Sequence, residues 1–389
     1  MRHSLLSFVL LFFSAPIWCQ ITVIGTLKSG GLTRDYRLYK PAIYTGAKPV
    51  PLVLNLHGYS SNNFEQEYYG SFHAIADTAN FLVVMPNGTI DNQGNRFWNT
   101  FGGTSTVNDV KFIDNLIDTL QKTYNIDPQR IYSTGMSNGG FMSYALACQL
   151  NRRIAAIASV TGSMIVPNLN ACQPKRPVPV MEIHGTADPV VPYTGGTLLN
   201  FASVPNVVNA WVNFNKCNQT PLITPVPNTN LTDGSQAERI VYSGGTNGAT
   251  VEHYKIAGGG HTWPGAAFIT GVTNQDFNAS YEIWRFFRRY RLDALSNADL
   301  PENILTHWDI FPNPNHGTVQ VNIQLAESAA VRLEVFNLFG QLQTTGLDAR
   351  LTAGEHQEQL NLQHLPSGIY LMQINSGASQ SVKKLVIED

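Results

Sequence analysis

The chain has 389 residues, of which 43% are hydrophobic and 13% charged, and its formal net charge at pH 7 is -2. This length exceeds that of one ordinary compact domain and predicts two or three folded or processed parts. Because the net charge is close to zero and no basic run occurs, nothing attracts the chain to nucleic acid or to an anionic membrane, and we exclude both as partners.

Residues 1–19 have the features of a signal peptide. An apolar run at positions 5–13 follows a short basic start, and it is shorter than the roughly 20 residues that a membrane-spanning helix needs. We expect cleavage before Gln20, with lipidation of Cys19 as an alternative. No other apolar stretch is long enough to cross a bilayer, so we predict an exported chain without a membrane span.

Residues 20–291 alternate short apolar runs with amphipathic segments, a pattern typical of a parallel sheet covered by helices on both faces. The clearest helix is predicted at 107–124, with Asn108 or Asp109 capping its start. We therefore predict an α/β fold with a doubly wound, mostly parallel sheet. Its predicted strands are 52–56, 81–85, 130–134, 154–160, 180–183 and 251–256.

The pattern changes after residue 291. Residues 292–308 lack a clear period and contain Pro301, which predicts a linker. From residue 309 to residue 389, apolar and polar residues alternate within short runs, as in strands with one buried face. We predict a small C-terminal all-β sandwich of about 80 residues, a size that can fold alone.

Removal of the signal peptide would leave three cysteines, Cys148, Cys172 and Cys217. Export to an oxidising compartment allows one disulfide and leaves one thiol, and the spacing does not select the pair. Neither a CxxC nor an HExxH motif is present, so we predict no metal site and no cofactor.

The segment GMSNGG at 135–140 follows a predicted strand and precedes a predicted helix. This strand-turn-helix setting is that of a nucleophile elbow, in which a strained turn exposes a serine above the sheet. A serine hydroxyl needs a histidine base, and the histidine needs a carboxylate that fixes its tautomer. We therefore predict Ser137 as the nucleophile and look for its partners further along the chain.

Both partners follow later strands. Asp188 lies in HGTADPVVP after strand 180–183, and His261 lies in GGGHTWPG after strand 251–256. The order serine, acid, histidine is that of α/β-hydrolases. Asp109 is a rival acid by residue type, but it precedes Ser137 and is better explained as a helix cap.

A tetrahedral oxyanion needs preorganised backbone N–H donors. We predict the amides of Asn138 and Tyr59, with Gly58 as the alternative to Tyr59. Trp98 and Trp263 are predicted to contact the substrate. His57 and His184 each precede a glycine at a strand end, and we interpret both as residues that order loops rather than as bases.

The segments LHGYSSN, FWNTFGG, DPQRIYSTGMSNGGFMSYALAC, EIHGTADPVVPY and GGGHTWPG occur in this order. Together they resemble the polyhydroxybutyrate depolymerase family of α/β-hydrolase esterases, which also contains feruloyl and acetyl-xylan esterases. The resemblance implies that Ser137, Asp188 and His261 occupy the family's triad positions and that one pair of cysteines is bridged. It leaves the substrate open, because family members cleave polyester, aryl and acetyl esters.

The C-terminal segments FPNP, VFNLFGQ, LPSGIYLMQI and KKLVIE resemble the sorting domain of the type IX secretion system. This resemblance implies that residues 309–389 are an export address read by that machinery and that the protein reaches the cell surface or the medium through the periplasm. A carbohydrate-binding sandwich is the alternative, which the scarcity of aromatic residues in this segment disfavours.

These features predict a secreted serine carboxylic-ester hydrolase that forms an acyl-enzyme on a polymeric substrate, with plant cell-wall feruloyl or acetyl esters favoured. The alternatives are an extracellular polyhydroxybutyrate depolymerase, a serine peptidase and a non-catalytic binding protein that kept the fold. A peptidase of this fold usually carries a gating domain, and no such insertion is evident.

Overall fold

The computed structural model describes residues 21–101, 105–196, 199–269, 271–292, 305–325, 328–337, 341–376 and 379–388. The predicted signal peptide, including Cys19, and residues 293–304 of the predicted linker lie outside these ranges. The chain forms two compact units, Met1–Ala298 and Asp299–Asp389.

A ten-stranded sheet organises the first unit, in the order β1-β2-β4-β3-β7-β8-β9-β12-β11-β10. The central strands β4, β3, β7, β8, β9 and β12 are parallel, and an antiparallel pair extends each edge. The parallel strands are the predicted ones, so that prediction is confirmed. The strands of this unit, including the small hairpin β5-β6, are β1 (Ile21–Ser29), β2 (Leu32–Lys40), β3 (Val50–Leu56), β4 (Leu82–Pro86), β5 (Thr89–Ile90), β6 (Arg96–Phe97), β7 (Ile126–Met136), β8 (Ala156–Val160), β9 (Val180–Gly185), β10 (Leu222–Pro225), β11 (Gln236–Tyr242) and β12 (Val251–Ala257).

Helices cover both faces of this sheet. Leu52 and Leu54 of β3 join one buried cluster, while Val53 between them joins a second, because successive side chains of a strand point to opposite faces. The fold is therefore doubly wound, as predicted. None of the helices in the described ranges has the length and apolar character of a membrane span. The helices are α1 (Asn63–Tyr69), α2 (His73–Ala79), α3 (Asp109–Thr123), α4 (Asn138–Gln149), α5 (Val166–Ala171), α6 (Val204–Asn215) and α7 (Ala279–Phe287).

Asn108 and Asp109, the two candidate caps, have different roles at the start of α3. The side chain of Asn108 accepts a hydrogen bond from the Lys111 amide and is the cap. The interpretation of Asp109 as a cap is wrong, because its carboxylate is buried and pairs with Arg34 at 2.7 Å. Its other oxygen accepts a hydrogen bond from the Asn99 amide at 2.8 Å. Asp109 thus fixes the chain before α3 to the sheet edge.

A disulfide joins Cys148 at the end of α4 to Cys172 directly after α5, and Cys217 is a buried free thiol. The structure therefore selects the pair that the sequence left open. Burial raises the pKa of the Cys217 thiol to about 11, which keeps it protonated and unreactive near neutral pH.

We expect replacement of both Cys148 and Cys172 by serine to lower the free energy of unfolding by roughly 3 kcal/mol. The bond joins residues that are 24 positions apart and so lowers the conformational entropy of the unfolded chain. Urea unfolding of the variant and of the native protein measures this difference. The native protein in reducing agent is the control and should lose the same amount. Equal stability of the oxidised native protein and the variant would contradict a stabilising role of this bond.

The second unit is an antiparallel sandwich of a three-stranded sheet, β13-β14-β17, and a four-stranded sheet, β16-β15-β18-β19. Inward residues of both sheets form one core, which includes Val321, Leu333 and Met372. The first strand begins at Leu305, so residues 305–308 belong to the sandwich and not to the predicted linker. The strands are β13 (Leu305–Phe311), β14 (Thr318–Leu325), β15 (Ala329–Phe336), β16 (Leu342–Leu351), β17 (Gly354–Asn361), β18 (Gly368–Ser376) and β19 (Ser379–Ile387).

Candidate active site

The sheet register places the ends of four parallel strands at one level. Met136 of β7 pairs with Val160 of β8, Val160 pairs with Ile183 of β9, and Ile183 pairs with Tyr254 of β12. The loops after β7, β9 and β12 therefore leave the sheet at its carboxyl edge, where doubly wound folds form their sites. These loops carry Ser137, Asp188 and His261, the three residues that the sequence predicted as a triad.

Ser137 is the single residue between β7 and α4. Its backbone has φ 53° and ψ -119°, outside the regions that L-residues prefer, which is the strain expected at a nucleophile elbow. The turn is fixed from both sides, because the Ser137 amide donates to the Val160 carbonyl at 2.8 Å and its carbonyl accepts from the Phe141 amide at 3.0 Å. The side chain is half-buried and is held above the sheet.

Gly139 shows why this turn needs glycine. A Cβ atom at this position would lie 2.2 Å from the backbone oxygen of Leu56 in β3, a distance that no packing adjustment accommodates. The missing side chain lets the first turn of α4 pack directly on the neighbouring strand. This contact sets the height of Ser137 above the strand ends.

Asp188 and His261 meet across neighbouring loops. His261 Nδ1 lies 2.7 Å from Asp188 Oδ2, and Oδ1 of Asp188 accepts the amides of Val190 and Val191 at 2.8 Å each. Asp188 is buried, whereas the His261 ring is partly exposed. Because a carboxylate only accepts, Nδ1 of His261 carries the hydrogen, and Nε2 is left as the basic nitrogen.

The electrostatic surroundings keep Asp188 ionised. Burial by itself would raise its pKa, but hydrogen bonds from His184 and His261 outweigh burial and hold the pKa well below the ordinary value. Asp188 therefore remains a carboxylate near neutral pH, as the prediction that it orients His261 requires. Its negative charge lies 2.7 Å from the Nδ1 atom of His261.

The loop after β3 lies beside the elbow. A Cβ atom on Gly58 would stand 3.5 Å from the Cβ of Ser137, so the Gly58–Tyr59 backbone passes next to the serine. Ser60 anchors the loop through its amide, which donates to the Arg96 carbonyl at 2.9 Å. Within the described ranges, the amides of Tyr59 and Asn138 donate to no other residue. Both predicted donors are therefore available to an oxyanion.

The side chain of Asn138 has a role that the sequence did not predict. It is fully buried, and its Oδ1 accepts the Trp98 amide at 2.7 Å. Its Nδ2 donates to the Trp98 carbonyl at 3.1 Å and to Thr100 Oγ1 at 2.9 Å. Asn138 thus fixes the loop at 98–100 against the elbow. The sequence feature that could have indicated this role is an amide side chain at the start of an otherwise apolar helix.

Trp98 and Trp263 do not occupy the positions predicted for them. They are 0% and 1% exposed, so neither indole presents surface to a substrate. Trp98 Nε1 donates to the His57 carbonyl at 3.0 Å, and Trp263 Nε1 donates to Ser280 Oγ at 3.0 Å. Each indole therefore lies behind one of the loops that form the site and supports that loop.

His57 orders the loop that it precedes. Its Nδ1 faces the Gly58 carbonyl at 2.7 Å, and its Nε2 accepts from the Gly88 amide at 2.9 Å, an arrangement that requires the neutral ring. Burial lowers the pKa of His57 to about 4, in agreement with that geometry.

Within the part of the chain that the structure describes, no group of His, Cys, Asp or Glu side chains is arranged to hold a metal ion.

Known proteins are similar to both parts of this chain. Residues 102–216 match the phospholipase/carboxylesterase family, and residues 309–388 match the secretion system C-terminal sorting domain. The chain is 30% identical over 280 residues to a bifunctional acetylxylan esterase/xylanase of Neocallimastix patriciarum, and this alignment covers 71% of the chain but only 36% of that relative. It is 31% identical over 231 residues to feruloyl esterase C of Emericella nidulans, covering 56% of the chain and 77% of the relative.

Among solved structures, an acetyl xylan esterase from Aspergillus awamori superposes with a TM-score of 0.47 at 14% identity, covering 62% of this chain and 94% of that one. The doubly wound sheet and the carboxylesterase match define the first unit as an ester hydrolase of the α/β-hydrolase class. Its similarity to feruloyl esterase C extends over most of that protein. The chain belongs to the feruloyl esterase C family, and it carries a C-terminal secretion sorting domain.

Proposed function

We propose that the protein is a secreted serine esterase that works through an acyl-enzyme. Ser137 attacks the ester carbonyl while His261 Nε2 takes the hydroxyl proton and then gives it to the leaving alcohol. Asp188 holds the ring and balances its charge. The observation that carries this proposal is the 2.7 Å hydrogen bond between His261 and Asp188, on loops that leave the sheet beside the strained Ser137.

The amides of Tyr59 and Asn138 bind the oxyanion in both half-reactions. They belong to a loop and a helix that are fixed by Ser60 and by the turn at Ser137, so they need no reorganisation when negative charge develops. Water then attacks the acyl-enzyme, and His261 acts as base a second time. The products are a carboxylic acid and an alcohol.

We propose feruloyl or acetyl esters of plant cell walls as the substrate class. The similar proteins named as acetylxylan and feruloyl esterases support this proposal. A cluster of three phenylalanine rings, of which Phe141 lies one helical turn after Ser137, also supports it. There the half-buried ring of Phe101 packs on Phe141 at 4.9 Å and on Phe201 at 5.9 Å, beside a cavity of about 230 Å³ between α4 and α5.

We expect Phe101→Ala to lower kcat/KM for methyl ferulate by about fivefold, because a stacking partner contributes about 1 kcal/mol to binding an aromatic acyl group. The acetyl group of p-nitrophenyl acetate is too short to reach that ring, so kcat/KM for this substrate should stay within about twofold of the native value. Steady-state kinetics on both esters measures the difference. An equal loss on both esters would mean that Phe101 supports the loop and does not contact the acyl group.

A substrate panel tests the proposed function. The full chain should hydrolyse methyl ferulate and acetylated xylan faster than hydroxybutyrate oligomers, and it should leave a peptide amide intact. Preference for the oligomers would assign a polyester depolymerase instead. Cleavage of the amide alone would assign a peptidase, and failure on every ester would contradict the proposal.

We also propose that the protein is exported across both membranes of a bacterial envelope. The predicted leader at 1–19 and the sorting-domain match at 309–388 support this route. In a bacterium with type IX secretion, deletion of the sorting domain should retain the enzyme inside the cell envelope. Release of the truncated protein into the medium would contradict the assignment.

A further inference from the structure

A buried ion pair lies directly behind the catalytic acid. Glu182 and His184 are two residues apart in β9, so both side chains point to the same face of an otherwise apolar strand. Glu182 Oε1 lies 2.8 Å from His184 Nδ1, and the Tyr144 hydroxyl donates to Glu182 Oε2 at 2.8 Å. Neither side chain of the pair is more than 1% exposed.

The second nitrogen of His184 points at the acid loop. Nε2 lies 2.9 Å from the Val191 carbonyl oxygen and 3.3 Å from Asp188 Oδ2. A carbonyl oxygen only accepts, so Nε2 must carry a hydrogen, whatever the charge of the ring. Asp188 Oδ2 therefore faces a histidine N–H on either side, from His184 behind it and from His261 in front of it.

Charge balance favours an imidazolium at His184. Burial by itself would lower the pKa of this ring, but the hydrogen bonds that it donates to Asp188 and Glu182, and the negative charges of these carboxylates, outweigh burial and raise the pKa above its ordinary value. Lys255, the register partner of His184 on β12, is paired with Glu238 at 3.0 Å, and the neighbouring histidine and tyrosine side chains are uncharged. Burial lowers the pKa of His253 to about 4 and raises those of Tyr193 and Tyr144.

Without Glu182, a cationic His184 would cancel the charge of Asp188 and weaken its support of His261. With Glu182 present, the three groups sum to the single negative charge that the imidazolium of His261 requires. His184 can therefore hold the carboxylate through an N–H without removing its electrostatic effect. Burial raises the pKa of Glu182, and the hydrogen bonds that its carboxylate accepts from His184 and Tyr144 oppose that rise.

We propose that His184 is a positioning residue, which holds Asp188 against His261 from the buried side, and that Glu182 supplies its counter-charge. The catalytic acid is then the third member of a hydrogen-bonded chain that runs from Glu182 through His184 and Asp188 to His261. This inference rests on the serine mechanism proposed above. It extends that mechanism to two residues that do not touch the substrate.

His184→Gln tests the proposal, because glutamine is of similar length but cannot carry the charge. We expect kcat to fall by roughly 10- to 100-fold with KM within about twofold, since a misplaced acid affects the proton transfer and not substrate binding. The cation nearest to Asp188 is lost, so the pKa of His261 should rise by roughly one unit, and the acid limb of kcat/KM should move to higher pH by the same amount.

His253→Gln is the matched control. His253 is also fully buried and is bonded to the Glu182 carbonyl at 3.1 Å and to the Tyr193 hydroxyl at 2.9 Å, but none of its described contacts involves Asp188 or His261. We expect this variant to lose stability, as His184→Gln does, while kcat and the acid limb stay unchanged. Equal kinetic losses in the two variants would reduce His184 to a structural residue and overturn the proposal.

A measurement without substrate separates this inference from the proposed function. The hydrogen between His261 and Asp188 should give a far-downfield proton resonance in the full chain, assigned by its loss in His261→Gln, and its pH titration reports the pKa of His261. That titration should shift in His184→Gln even if no tested ester is turned over. Tyr144→Phe removes a hydrogen bond that stabilises the Glu182 carboxylate, so it weakens the counter-charge of His184 and should shift the titration of His261 in the opposite direction by less. Unchanged titration in both variants would overturn the positioning role.

Discussion

Ser137→Ala should lower kcat for a p-nitrophenyl ester by roughly 10⁶-fold, because no other group at the elbow forms the acyl-enzyme. The side chain is half-buried above the sheet, and the glycine contacts set the backbone of the turn. The variant should therefore keep the native circular dichroism spectrum and Tm. Burst-phase kinetics should also lose the acyl-enzyme burst.

Ser143→Ala is the control on the same helix. Ser143 is buried, and its hydroxyl lies 2.9 Å from Ser133 Oγ and donates to the Gly139 carbonyl at 3.1 Å. This variant should lose about 1 kcal/mol of stability and keep its activity. If Ser137→Ala retained more than a small fraction of the native kcat, the serine mechanism would be wrong.

Asp188→Asn should lower kcat by roughly 10⁴-fold with little change in KM. The amide keeps the shape of the carboxylate, but it cannot stabilise an imidazolium and it allows the wrong tautomer of His261. It also leaves the buried His184 with one counter-charge fewer. We therefore expect a loss of stability in addition to the kinetic effect, and urea unfolding measures that part separately.

Asp276→Asn is a matched control, because Asp276 Oδ1 accepts two backbone amides, from Thr229 at 2.7 Å and from Asn230 at 2.9 Å, much as Asp188 does. No described contact joins Asp276 to the triad. Its replacement should leave kcat unchanged. Loss of activity in Asp276→Asn with an active Asp188→Asn would mean that the acid has been misassigned.

The parallel core of the sheet, and the places of Ser137, Asp188 and His261 after its strands, could be predicted because their signals are local. Each central strand is a short apolar run, and Ser137, Asp188 and His261 each follow such a run directly. The edge strands β1, β2, β10 and β11 have exposed faces and a mixed composition, so their apolar pattern is too weak to separate them from loops.

Long-range contacts explain the wrong predictions. Asp109 has the sequence position of a cap, but its partner Arg34 lies 75 residues away and pulls the carboxylate into the core. Trp263 lies two residues after His261, whereas Trp98 lies 39 residues before Ser137, and nothing local to either shows that its indole points into the protein. Glu182 and His184 did leave a signal, since two ionisable residues on one face of a buried strand need each other as partners.

The two roles of Asn138 limit how this site could be redesigned. Its amide is a proposed oxyanion donor, and its side chain holds the loop at 98–100, which leads directly into Phe101. One residue therefore connects the proposed catalytic groups to the chain segment that carries Phe101. A substitution at Asn138 intended to reshape the acyl pocket would displace the loop at 98–100 and the first turn of α4 together. Directed evolution for new acyl groups should therefore accumulate changes at Phe101 and its ring partners, and libraries that randomise Asn138 should return mostly inactive enzymes.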